Sequence, residues 1–454
     1  MTDSVSIDGL DYKRESDHQQ DCIQKLLDEA AAKGATAAEV SIGKVAGLSV
    51  QSRKSELETV EFNHDCGLSL TVYVGQSKGS VSSSDLSESA LSRCLQSALD
   101  IAKYTAEDAY AGLADAERMA QSIPDLALDY PADISMEHCI EQAITCETTG
   151  MEMDSRIINS DGASFSSHRS VRSYGNSHGF LASMVGTKHS MSCALIGKEK
   201  DHMHRDGWYS YERDVKDLET AKAVGEKAAL TTLKHLSPRK INTMKVPVIF
   251  DAEISAGFFG HLFSAISGGS LYRKASFLLD HLGQSILPDF IDIEEDPLLP
   301  KGFSSSAFDS EGVATSKHHL VEGGCLVSYV LGSYSARRLG MQSTGNAGGL
   351  RNVTVSHGGK SQAELLKTLD KGVLITDVMG QGVNTVTGDY SRGAEGFWVE
   401  NGEIQYPITE FTVAGNLKDM FKNIAEIGAD WDRRKSTRCG SILMSEVMLA
   451  GSDA

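Results

Sequence analysis

The strongest constraint on the fold is a switch of hydrophobic period that occurs in the same order twice. Residues 17–34, DHQQDCIQKLLDEAAAKG, place Cys22, Ile23, Leu26, Leu27, Ala30 and Ala31 at helical spacing, with Gly34 as a C-cap. Alternating segments follow (AAEVSIGKV, GLSVQSRKSELETVEFN, GLSLTVYVGQSKGSVSSS) and predict an antiparallel meander bounded by glycines. DLSESALSRCLQSALDIAKYT then returns to helical period, with Asp85 or Ser87 as its cap. Helix, meander and helix recur before Pro238, from SMEHCIEQAITCETTGMEMD to DVKDLETAKAVGEKAALTTLKHL, without residue-level identity between the copies.

A basic, Pro-containing connector, SPRKINTMK, precedes the strand-like VPVIFD, and beyond it the chain turns Gly-rich with short apolar runs and a good hairpin turn at ENGE. These features predict an α+β protein. Its N-terminal portion consists of helices and antiparallel meander, readable as two similar units over residues 1–120 and 121–238. A mainly β C-terminal domain follows over 239–454.

Composition then narrows the function. Lys plus Arg number 43 against 62 Asp plus Glu, so the formal charge of −19 repels phosphate backbones and argues against direct nucleic-acid binding. The first twenty residues, MTDSVSIDGLDYKRESDHQQ, carry neither a basic n-region nor an apolar h-region, and no apolar run is long enough to span a bilayer, which leads us to expect a cytoplasmic protein that does not enter membranes. The eight cysteines are scattered without a C-x-x-C pair, as expected of reduced thiols rather than a disulfide framework or zinc ribbon.

Several stretches invite a metal. FFGHLFSAISGGS, residues 258–270, has the spacing of a buried helix with His261 in its first turn and a Gly-Gly stop, but a zincin helix needs a second histidine one turn on and a glutamate beside the first. His202 and His204 in DHMHRDGW would share a strand face, although the segment reads as a polar strand end or loop carrying a solvated cluster. His318 and His319 are adjacent, so on a strand they face opposite ways. The glycine stretches 340–359 and 380–396 match neither phosphate-loop pattern and read as turns, and no G-x-S-x-G elbow is present.

Longer strings are more specific. GHLFSAISGGSLYRKASFLLDHLGQSILPD, FDSEGV, GSYSARRLGMQSTGNAGG, LITDVMGQGVNTVTGDYSRGAEGFWVENGEIQYPITEFTVAGNL and GSILMSEVMLAG closely resemble the TldD/PmbA family of metalloprotease subunits, formerly called modulator of DNA gyrase, on its TldE side. The resemblance covers most of the chain and is densest from about Val246 to Gly451. It implies a mostly β C-terminal domain and a cytoplasmic metalloprotease assembled from TldD and TldE subunits. The implied substrates are unfolded or flexible peptides, including peptide antibiotic precursors and an antitoxin.

In the catalytic TldD branch the signature is H-E-x-x-x-H plus a distant cysteine. Laid on this chain, the first histidine falls at Gly260, the glutamate at His261 and the second histidine at Ala265, so all three are replaced. Cys439 lies closer to the chain end than the family's zinc cysteine, and the role is not carried to it. The resemblance therefore implies a chain that binds no zinc itself, with zinc expected in a TldD-like partner, and that forms a heterodimer with that partner or a homodimer when alone. Tyr272 and Arg273, after the Gly-Gly pair, and Arg337 and Arg338 in SARRLG are expected near a substrate channel or interface, against the plainer reading of solvated charge. The rival function is a non-enzymatic, peptide-binding or regulatory homodimer.

Overall fold

A computed structural model describes residues 11–451. The first ten residues of the segment read for a leader lie outside them. The fold is α+β, and the described residues form two compact units: residues 11–198, 203–233 and 307–315 in one, and 199–202, 234–306 and 316–451 in the other.

The first unit is built on one antiparallel sheet. In chain order it contains α1 (Tyr12–Ala32), β1 (Ala37–Arg53), β2 (Glu56–Val74), β3 (Ser77–Ser83), α2 (Glu88–Tyr104), α3 (Met136–Glu152), β4 (Ile157–Asn176), β5 (Leu181–Glu199), β6 (His202–Glu212) and α4 (Ala221–Lys234). The strand order is β3-β2-β1-β4-β5-β6. Pairing of β1 with β4, from Glu39↔Asn176 to Ser52↔Ala163, joins the two helix–meander–helix segments in this single sheet.

One strand serves both segments because its alternation is sustained. Val40 and Ile42 pack with α1 and α2, while Leu48 and Val50, on the same face of β1, pack with α3 and α4. The strands do not break at their glycines: β1 runs through Gly47, where a Cβ would lie 2.2 Å from the Ser167 carbonyl oxygen. The β1–β2 turn falls instead at Lys54 and Ser55, both with positive φ (55° and 59°). Helix α1 begins five residues before the predicted start, because Asp11 caps it by accepting from the Lys13 and Arg14 amides.

The second unit is mainly β. It contains β7 (Met244–Phe250), α5 (Ala252–Ala265), α6 (Gly268–Tyr272), β8 (Ile293–Glu295), β9 (His318–Glu322), β10 (Cys325–Leu326), α7 (Ser333–Leu339), β11 (Val353–Val355), α8 (Gln362–Leu366), β12 (Lys371–Met379), β13 (Asp389–Glu400), β14 (Glu403–Asn416), α9 (Leu417–Lys422), β15 (Ile424–Ile427), β16 (Thr437–Arg438) and β17 (Ile442–Ala450). One sheet runs β14-β13-β12-β7-β17-β15, and a further β14–β17 pairing (Thr412↔Ala450) closes five of its strands into a ring. A smaller sheet runs β10-β9-β8-β11-β16. ENGE turns the β13–β14 hairpin with Asn401 and Gly402 at positive φ.

Candidate functional site

Helix α5 carries the positions aligned with the zinc signature. Asp251 caps it by accepting from the Glu253 amide at 2.8 Å, and Gln362 Nε2 holds the other carboxylate oxygen at 2.8 Å. His261 therefore lies in the third turn rather than the first. The Gly-Gly pair is not a stop either, since Ser267 caps a new short helix, α6, that begins at Gly268.

One side of α5 is core. Phe258 meets Phe421 at 4.8 Å and Phe250 at 5.3 Å between ring centres, and Leu262 and Ala265 are 0% exposed. The opposite side carries Gly257, Gly260, His261 and Ser264 at spacings of three and four, and a Cβ on either glycine would meet nothing within 4 Å. Gly260 thus has room for a side chain and Ala265 has none.

The imidazole of His261 lies edge-on to Tyr390, and its Nε2 is buried without a hydrogen-bond partner. Burial first, and the nearby Arg392 charge second, hold its pKa below the usual histidine value. Burial pushes the Tyr390 hydroxyl up to about 12, with Arg392 opposing the shift. Arg392 is itself tied down by donating from Nη2 to the Val378 carbonyl at 2.7 Å.

This setting does not fit a zinc ion. Two of the three aligned positions offer no donor atom, the third offers one imidazole, and a fixed guanidinium stands near it where a dication would be repelled. Tyr390 and Arg392 were not singled out from sequence, since only strand β13 brings them to α5.

The other predicted residues converge on the α6–α7 pair. The helices approach closely because Gly268 has no side chain: a Cβ there would lie 2.2 Å from Ser335 Oγ. Arg273 sits 5.3 Å from the Tyr272 ring centre and donates to the Tyr272 hydroxyl at 3.1 Å. Arg338 lies 5.4 Å from the same ring, which also meets Tyr334 edge-on at 5.7 Å. Tyr272, Arg273 and Arg338 are thus brought together, with Arg337 on the same short helix as Arg338. Tyr334 was overlooked, although it precedes Arg338 by one helical turn in SYSARRL.

The remaining histidines and cysteines are dispersed. His318 Nε2 lies 3.7 Å from Glu295 and His319 Nε2 lies 3.8 Å from Glu294, so the neighbours face different carboxylates. His202 and His204 share a face of β6, with His202 opening the strand and His204 3.6 Å from Asp206, so the segment is a strand end. Glu295 also anchors the Gly-rich 340–359 segment by accepting from Asn346 Nδ2 at 2.7 Å and the Arg351 amide at 2.6 Å. Cys439 is buried, and burial pushes its thiol pKa well up. Among the described residues no three His, Cys, Asp or Glu side chains form a group that could hold a metal ion.

Comparison with known proteins gives this arrangement a family. Residues 38–102, 129–236 and 243–451 match, in order, the family models described as PmbA/TldA metallopeptidase domain 1, central domain and C-terminal domain. Metalloprotease PmbA of Escherichia coli O157:H7 is 49% identical over 440 residues, covering 95% of this chain and 98% of that protein. The Metalloprotease PmbA homolog of Haemophilus influenzae is 49% identical over 427 residues, covering 93% and 94%. A proposed modulator of DNA gyrase from Bacteroides thetaiotaomicron superposes with a TM-score of 0.91 at 29% identity, covering 96% of this chain and 99% of its own. TldE from Thermococcus kodakarensis shares the fold with a TM-score of 0.82 at 20% identity, over 95% of this chain and all of its own. With all three family domains matched in order and near-full-length relatives at 49% identity, the chain belongs to the PmbA/TldD metallopeptidase family.

Proposed function

We propose that this chain is the TldE-like subunit of a cytoplasmic metalloprotease that cuts unfolded or flexible peptides, with the zinc and its ligands supplied by a TldD-like partner. The observation that carries the reading is the state of helix α5. Gly260 and Ala265 stand where the catalytic branch has histidines, Ala265 is buried in the core, and His261 is held near Arg392. The relatives' printed designation as metalloproteases supports the reaction class.

On this reading α5 survives as the structural counterpart of a zincin helix. The exposed Arg273 and Arg338 around Tyr272, with Arg337 beside them, form the surface that meets the partner or the peptide. Peptide antibiotic precursors and an antitoxin are the substrates to try first.

The test is zinc content by elemental analysis, with cleavage of an unstructured peptide, for the purified chain alone and after mixing with a TldD-like protein. Zinc and cleavage only in the mixture are expected. Stoichiometric zinc with cleavage by the chain alone would overturn the assignment, and peptide binding without cleavage in either sample would favour a non-enzymatic holder of peptides.

A further inference from the structure

The first unit contains a sheet edge that its own strands leave uncovered. β6 has 11 residues against 19 in β5 and covers only the later part of it: Gly207 packs against Cys193 and Ala194, and the strand ends five residues on, at Glu212. Over the earlier part, an extended stretch around Leu128 is joined to the edge at Thr187, whose amide donates to the Leu128 carbonyl at 2.9 Å and whose Oγ1 accepts from the Tyr130 amide at 2.8 Å, and among the described residues no backbone bond of this kind reaches Ser183 or Val185. That stretch then kinks away at Ala127, whose φ of 52° is left-handed and whose amide turns back onto Asp125 Oδ1 at 2.8 Å. A cavity of about 590 Å³ opens between residues 123–130 and Ser183, Met184 and Val185, with Ala307 also lining it.

The backbone of β5 is aimed into this opening. In an antiparallel pair, residues alternate between turning both amide groups toward the neighbour and turning both away. Thr187 turns both away from β4, since its amide reaches Leu128 and its carbonyl accepts from Arg213 Nη1 at 3.2 Å. The β4–β5 register is unbroken from Tyr174↔Ala182 through Arg169↔Thr187, so Val185 and Ser183 turn theirs the same way. The strand is held firmly there, with Ser183 Oγ engaged by Gln20 Nε2 at 2.9 Å and Ser173 Oγ at 2.7 Å.

We propose that the Ser183–Val185 edge of β5 is a docking site for an extended peptide, which adds as a short strand through the outward amides and carbonyls of Ser183 and Val185. Two carboxylates line the cavity. Asp129 is taken by Arg169 at 2.6 and 2.8 Å, while Asp125 is exposed and no cation among the described residues pairs with it. The occupant is therefore a peptide with a lysine or arginine placed to reach Asp125. The choice of a peptide as ligand rests on the proposed function, but the site lies in the other unit from α5 and its test does not require cleavage.

The test uses the full chain, without partner, and a short fluorescein-labelled unstructured peptide with lysine at alternate positions. Fluorescence anisotropy measures binding, and hydrogen exchange follows the Ser183 and Val185 amides. Slower exchange at both amides on peptide addition is expected. Val185→Pro, which removes an outward donor, is expected to weaken binding at least about tenfold. Asp125→Lys should weaken it several-fold, with the loss shrinking in high salt, a salt dependence that the accompanying loss of the Ala127 amide's acceptor would not produce. Absence of binding, unchanged exchange at these amides, or wild-type affinity in Asp125→Lys and Val185→Pro together would overturn the site. Zinc and cleavage in the mixture, measured separately, would then still decide the proposed function.

Discussion

The imidazole of His261 meets the ring of Tyr390 edge-on, with 5.8 Å between centres and 76° between planes. This contact places an ionisable ring where protonation is opposed by burial and by Arg392.

The first prediction concerns pH. In the folded chain His261 should stay neutral below the ordinary histidine pKa of about 6.5, whereas the unfolded chain takes up a proton near that value. The unfolded state then binds more protons, so this residue's share of stability is present above about pH 6.5 and lost progressively as pH falls from there through the lower folded-state pKa. Urea unfolding across that range should show a shallower slope in His261→Leu, and imidazole NMR should show no titration at the usual position. A folded-state pKa at or above the ordinary value would refute this.

A second prediction separates the two lost histidine positions. A Cβ at Gly260 meets nothing and the residue sits inside a helix, so Gly260→Ala should stabilise the chain by about 0.5–1 kcal/mol. Ala265 is 0% exposed, and Ala265→His should cost about 1–3 kcal/mol through overpacking. Denaturant midpoints measured at constant m-value decide both.

The third prediction tests the α6–α7 surface. Arg273 and Arg338 are exposed, and each cation–π contact with Tyr272 contributes about 1 kcal/mol or less, so Arg273→Ala with Arg338→Ala should barely shift stability. If the surface meets the partner or the peptide, cleavage by the mixture should fall roughly tenfold, a loss worth about 1.4 kcal/mol. Wild-type cleavage would reduce these residues to solvated charge.

What could be read from sequence divides along contact range. The α+β order and the apolar face of α5 were legible because period is local: Phe258, Phe259, Leu262 and Ala265 mark the buried side unaided. The start of α5 was misread because residues 252–257 carry few large apolar side chains and the cap, Asp251, sits at the end of an apolar strand. The joining of the two N-terminal segments was illegible, since it depends on β1 pairing with a strand more than a hundred residues later. The Arg392 and Tyr390 neighbours of His261 were hidden for the same reason.

The β1–β2 turn shows how distant residues replace local turn signals. Lys54 and Ser55 both hold positive φ without glycine, and Glu147 of α3, 0% exposed, accepts from their amides at 2.7 and 3.0 Å. Glu147→Ala should cost about 2–3 kcal/mol, because two amides lose a charged acceptor. Ser55→Gly should return part of that loss by relieving the left-handed backbone. Thermal or denaturant unfolding of the single and double variants checks both signs.

Gly268 links stability to the candidate surface. A Cβ there would stand 2.2 Å from Ser335 Oγ and 2.4 Å from Ser335 Cβ, so Gly268→Ala must push α6 from α7. The cost should be about 1–3 kcal/mol, and the shift carries Tyr272 away from Arg338. Adding Ser335→Gly removes both closest atoms and leaves Leu331 Cδ2, at 3.0 Å, as the nearest, a side-chain end that can move. The double variant should therefore recover stability and, if the Tyr272–Arg338 arrangement matters to the complex, cleavage by the mixture as well. Recovery of stability without cleavage would show that the Ser335 side chain itself, rather than helix spacing, serves the function.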